Sequence, residues 1–130
     1  MTPSTRKVIG TDQAPRPVGP YSQAIQVGNT LFVAGQLGLD PATSKLVEGG
    51  VQAQARQALQ NLAAILEAAG GSLAHVVKTT IFMDNLDDFG QVNEIYGTFF
   101  SESPPARSTL EVARLPLGGL VEIEAIAVIE

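Results

Sequence analysis

The residues of this chain with chemistry to offer are concentrated near its C-terminal end. From Pro104 to Glu130 the sequence reads PPARSTLEVARLPLGGLVEIEAIAVIE, and Arg107, Glu111, Glu122 and Glu124 are embedded there in runs of strand-forming residues. Alternation along a strand puts Arg107, Thr109 and Glu111 on one face, and Glu122 with Glu124 on one face of a second strand. A guanidinium on rigid backbone can grip a small carboxylate through two charge-assisted hydrogen bonds while a neighbouring glutamate moves a proton. Charges in half-buried strands ordinarily just face water, so a chemical role for these residues depends on what else the chain contains and lacks.

The chain has no cysteine, which removes disulfides, thiolate nucleophiles and zinc–thiolate sites and permits a reducing compartment. His75 is the single histidine, expected at a partly exposed strand start. One imidazole cannot build a histidine metal cluster, and no nucleophile-elbow motif accompanies it. The acidic residues show no loop of metal-ligand spacing, and neither G-x-x-x-x-G-K nor G-x-G-x-x-G occurs; no metal and no cofactor is expected. A formal net charge of −5, with the 8 lysines and arginines scattered, argues against a nucleic-acid partner, whose phosphates need clustered cations. Arginine, glutamate, tyrosine, asparagine and backbone groups remain. They suit hydrolysis of an imine, whose carbon is already electrophilic and needs only a positioned water and proton transfer.

These side chains must be held by a small frame. A length of 130 residues fits one domain over 1–130. Hydrophobic residues make up 45% and charged ones only 16%, against about 25% charged in a typical soluble domain, so part of the surface is expected to be hidden in an oligomer. The N-terminal MTPSTRKVIG has no signal-peptide run, and no stretch approaches a membrane span; a soluble cytoplasmic protein is expected. Met1 to Arg6 reads as loose, and Lys7 to Gly10 as a short strand. Pro15, Pro17 and Pro20 then impose a stiff extended loop, with Tyr21 the side chain it is placed to hold. Ala24 to Val27 and Thr30 to Ala34 read as strands joined at Gly28-Asn29, the second leading to Gly35, where backbone can approach a ligand closely. Asp40 to Gly50 reads as loop.

Val51 to Ala69 reads as a helix, since Val51, Ala55, Leu59, Leu62, Leu66 and Ala69 recur at helical spacing, with a stop at Gly70-Gly71. Val76 to Met83 reads as a central strand. Asn85 or Asp87 is placed to cap a second helix, with Phe89, Val92, Tyr96 and Phe99 as its apolar stripe. The last two strands, split by Pro116, Gly118 and Gly119, are expected to form an antiparallel hairpin. The order predicts an α+β fold, a mixed sheet with two helices packed on one face. Because the final strand is apolar on both sides, a second subunit is expected over the other face.

The blocks GPYSQA (19–24), VAGQLG (33–38), VQAQARQALQNLAAILEAAG (51–70), VVKTTIFMDNLDDFGQVNEIYGTFF (76–100), PPARSTLEVARLP (104–116) and VEIEAIAV (121–128) together resemble the reactive intermediate/imine deaminase family (RidA, also called YjgF). The resemblance runs from about Val8 to the C-terminus. It implies a chorismate-mutase-like subunit assembled as a homotrimer, with ligand clefts at the subunit interfaces. It also implies hydrolysis of enamine/imine intermediates such as 2-aminoacrylate to 2-keto acids and ammonia, without a cofactor. Carried onto this chain, it implies that Arg107 holds the substrate carboxylate and that Glu122 handles the water. Tyr21, Gly35, Asn93 and Thr109 fall on cleft positions. Family members often have serine where Ala34 stands and cysteine where Thr109 stands, differences that bear on substrate preference. A non-catalytic trimer binding small carboxylates or a partner protein is the alternative reading.

Overall fold

The computed structural model describes residues 5–130. The loose segment expected over Met1 to Arg6 lies outside the described residues as far as residue 4, and Arg6 already belongs to a strand. The elements are β1 (Arg6–Ile9), β2 (Ala24–Val27), β3 (Thr30–Leu37), α1 (Gly50–Ala68), β4 (Val76–Met83), α2 (Phe89–Phe99), β5 (Ala106–Glu111) and β6 (Val121–Val128). The six strands form one sheet in the order β1-β2-β3-β6-β4-β5. Every pairing is antiparallel except β4 with β5, which is parallel. The α+β class, mixed sheet and two helices are as the sequence predicts.

The expected terminal hairpin does not form. β6 instead lies between β3 and β4, and β5 pairs only with β4 at the sheet edge. The physical reason is pattern against position. β6 is apolar enough to occupy a centre, whereas ARSTLE in β5 carries the polar load tolerated at an edge. β4, α2 and β5 form a strand–helix–strand unit, and parallel neighbours need such a crossover.

α1 lays Val51, Ala55, Leu59, Leu62 and Leu66, with Ala58 and Ile65, into the core, against β3, β6 and α2. Opposite them lie Leu31 and Val33 of β3, Ile81 and Met83 of β4, and Val121, Ile123, Ala125 and Ala127 of β6, all buried. At about 25 cal/mol per Å2, such burial is the main stabilising contribution. α1 approaches the end of β3 closely: a Cβ on Gly38 would stand 2.5 Å from the Gln54 Cα. In α2, Ile95 joins Val92 and Tyr96 in the core. Phe89, expected in that stripe, is 40% exposed because it opens the helix and turns toward β5. Asn85 caps the short 3-10 turn leading into α2, accepting from the Asp87 N–H at 2.9 Å.

The other face of the sheet is only partly covered within one chain. Glu122, Ile126 and Val128 are half-buried there and Glu124 is exposed, so burial on both sides of β6 is met on one side alone. His75 ends a 3-10 turn rather than opening the strand, and its Nδ1 accepts from the Ser72 N–H at 3.0 Å while the Ser72 hydroxyl accepts from the Ala74 N–H. Its work is to cap that turn.

Candidate active site

Glu122 opens into a cavity of about 310 Å3 whose walls include Tyr21, Gly35, Ala34, Arg16 and Pro116. Three local devices build it. A bulge between Val33 and Gln36 breaks the β3–β6 register and brings Gly35 against the carboxylate. A Cβ at Gly35 would lie 2.7 Å from the Glu122 Oε2, so any larger residue there would push the carboxylate aside. The 11–20 loop is pinned by the buried Gln23, whose Nε2 donates to the Thr11, Ala14 and Pro15 carbonyls at 3.1, 3.3 and 2.9 Å while its Oε1 accepts from the Thr11 N–H at 2.7 Å. The Tyr21 hydroxyl accepts from the Val18 N–H at 3.2 Å, folding the loop over the cavity with the ring 49% exposed.

Buried polar groups of α1 hold the far wall. Asn61 donates to the Leu37 and Leu39 carbonyls at 3.2 and 2.9 Å, and Gln54 accepts from the Leu120 N–H at 2.8 Å, just before β6. Burial raises the Glu122 carboxyl above its ordinary pKa, and the Glu124 carboxylate on the same face raises it further.

Arg107 lies elsewhere, in a depression of about 390 Å3 with Asn93, Tyr96, Gly97, Pro104 and Pro105. Its guanidinium carbon sits 4.8 Å from the Tyr96 ring centroid and 5.4 Å from that of Phe89, a cation–π cradle that orients the fork. Tyr96 is itself fixed by a 2.7 Å hydrogen bond between its hydroxyl and that of the buried Thr79. Burial raises the Tyr96 pKa, opposed by the Thr79 bond and the Arg107 charge. On the Arg107 face of β5, the Thr109 hydroxyl oxygen is buried with no hydrogen-bond partner.

Arg107 and Glu122 do not meet within one chain. Arg107 is in register with Thr79, which faces the helices, whereas Glu122 is in register with Phe82, three residues on and therefore on the opposite face. The structure thus gathers Tyr21, Ala34, Gly35 and Glu122 in one hollow and Asn93 with Arg107 in another, with Thr109 beside Arg107. Gln23, Gln54 and Asn61 were not singled out in the sequence. Their one signal is a polar side chain at a position that the surrounding apolar pattern marks as buried.

The family model described as endoribonuclease L-PSP matches residues 11–129. Over 128 residues, 98% of this chain and 95% of the relative, the chain is 56% identical to a mouse protein named 2-iminobutanoate/2-iminopropanoate deaminase. It is similar to the crystal structure of RidA from the Antarctic bacterium Psychrobacter sp., with TM-score 0.92 and 52% identity over 95% of this chain and 99% of that one. It is also similar to E. coli TdcF with bound serine, with TM-score 0.91 and 42% identity over 95% and 99% of the two chains. Likeness of this extent in both sequence and fold places the chain in the endoribonuclease L-PSP family, the RidA/YjgF family that its motifs resemble.

Proposed function

We propose that this chain hydrolyses small enamine and imine carboxylates of the 2-aminoacrylate type to 2-keto acids and ammonia, as a homotrimer with clefts between subunits. The observation that carries this reading is Glu122: a carboxyl with a raised pKa in a mostly apolar hollow, pressed against Gly35. A carboxyl tuned upward can serve in turn as base and acid nearer neutral pH. The name of the mouse relative supports the substrate class.

In this scheme Arg107 of one subunit grips the substrate carboxylate, flanked by Asn93 and Thr109, and Glu122 of the next faces the imine carbon beside Tyr21 and Gly35. Water attacks that carbon, its proton passes to Glu122, and the C=N electron pair moves to nitrogen. That proton moves on to nitrogen to complete the carbinolamine; Glu122 then takes the carbinolamine hydroxyl proton and passes it to the amino group as the C–N bond breaks, so ammonia leaves and the keto group forms. Assembly is supported by the uncovered sheet face, where Phe32 is 48% exposed in register with Ile126.

The bound serine of the TdcF structure favours a second reading, in which the cleft only binds small carboxylates. Release of pyruvate from 2-iminopropanoate generated in situ separates the two. The deaminase accelerates it, whereas a binding module leaves the spontaneous rate unchanged. The family description names an endoribonuclease, but a net charge of −5 opposes binding to a polyanion.

A further inference from the structure

The cavity beside Glu122 extends beyond the carboxylate along the 11–20 loop as far as Arg16. Its volume is about 310 Å3. Its walls are mostly apolar, with Pro15, Val18, Leu37 and Leu39 among them, and they hold one cationic side chain, Arg16. That arginine has a fixed base: it stands between the buried Pro15 and the exposed Pro17, whose rings lock φ, and the Pro15 carbonyl is held by Gln23 at 2.9 Å. Although Arg16 shares the cavity with Glu122, the causes acting on that carboxyl are burial and Glu124, with no cation drawing it down. The guanidinium is exposed on the cavity wall and open to a ligand group.

Building on the deaminase reading above, we infer that Arg16 forms a distal-anion subsite which admits 2-imino dicarboxylates as substrates. With the first carboxylate on Arg107 and the reacting carbon at Glu122, the substrate side chain runs into the Glu122 cavity. Its terminal carboxylate gains there a charge-assisted, two-point partner that an apolar wall would deny it. The bonds made and broken are those of the simple imine: water adds to the C=N carbon, ammonia leaves, and the distal carboxylate is unchanged.

The test compares 2-iminoglutarate with 2-iminopropanoate, generated in situ by amino-acid oxidases from glutamate and alanine, with keto acid release measured above the spontaneous rate. The ratio of kcat/KM for iminoglutarate over iminopropanoate should fall about tenfold in Arg16→Ala. Arg16→Lys, which keeps the charge without the fork, should restore part of it, and rising ionic strength should shrink the wild-type ratio because Arg16 is exposed. An unchanged ratio in Arg16→Ala, or an equal loss on both imines, overturns the inference. Wild-type turnover of iminopropanoate with none of iminoglutarate overturns it while leaving the deaminase reading intact. No acceleration of either imine overturns both.

Discussion

Glu122 and Glu124 lie two residues apart on one face of β6, yet only Glu122 reaches the cavity, and burial raises its pKa. Glu122→Gln keeps shape and hydrogen-bonding capacity while removing the titrating group, so it should lose about 10²- to 10⁴-fold in single-turnover deamination, and Glu124→Gln much less. The larger loss at Glu124 would reassign the proton transfer. The same shift has a stability sign. Between the ordinary value of 4.5 and the raised folded value, the folded chain binds more protons than the unfolded one. Stability therefore falls as pH rises through that interval and stays lower above it. Glu122→Gln should accordingly gain in Tm over wild type at pH 7 and not at pH 4, by calorimetry at both. At Gly35 the constraint is steric: Gly35→Ala puts a methyl 2.7 Å from the Glu122 Oε2. It should displace the carboxylate and lower kcat roughly 10²-fold, as small misplacements of catalytic groups do, with the Tm little changed. Arg107→Lys keeps the charge but loses the fork and the stacking on Tyr96 and Phe89. It should cost roughly 10² to 10³ in kcat/KM, and a near-normal value would make the arginine structural.

At the scale of elements, the first half of the 11–20 loop is held by the buried Gln23. Gln23→Leu deletes four hydrogen bonds and strands the Thr11, Ala14 and Pro15 carbonyls, at about 1–3 kcal/mol for each buried group left unsatisfied. The expected result is faster limited proteolysis within 11–20 and a raised KM with kcat less affected; unaltered proteolysis would show that the prolines alone suffice. The helices, the Val76–Met83 strand and the turn at Gly28-Asn29 were legible in the sequence because each depends on local periodicity or turn chemistry. The hollow around Tyr21, Gly35 and Glu122 was legible only through family motifs. The terminal hairpin was misread because pairing is a non-local choice: two adjacent strands with a Pro-Gly turn look like partners until β4, far back in the chain, inserts between them. The opposite facing of Arg107 and Glu122 follows from that insertion, so no spacing between them could have shown it.

For the whole molecule, that opposite facing has a consequence that can be counted. If a working cleft needs both Arg107 and Glu122, and the two point to opposite faces of one sheet, each cleft must take one from each of two chains. Two variants inactive by themselves, Arg107→Lys and Glu122→Gln, should then complement. A subunit carrying Glu122→Gln still supplies a good arginine, and one carrying Arg107→Lys still supplies a good glutamate. With free assortment at equal amounts, the arginine donor is intact in half of the clefts and the glutamate donor independently in half. About a quarter of wild-type activity should return in the unsorted mixture, and about a third in a doubly tagged trimer, where each mixed ring has one intact cleft of three. The mixture is prepared by co-expression with distinct affinity tags, and the doubly tagged species is isolated and sized by light scattering, where a trimer mass is expected. Activity no higher than the mean of the two parents in that species would show that one chain carries the whole site, and a monomer mass would remove the interface on which the cleft depends.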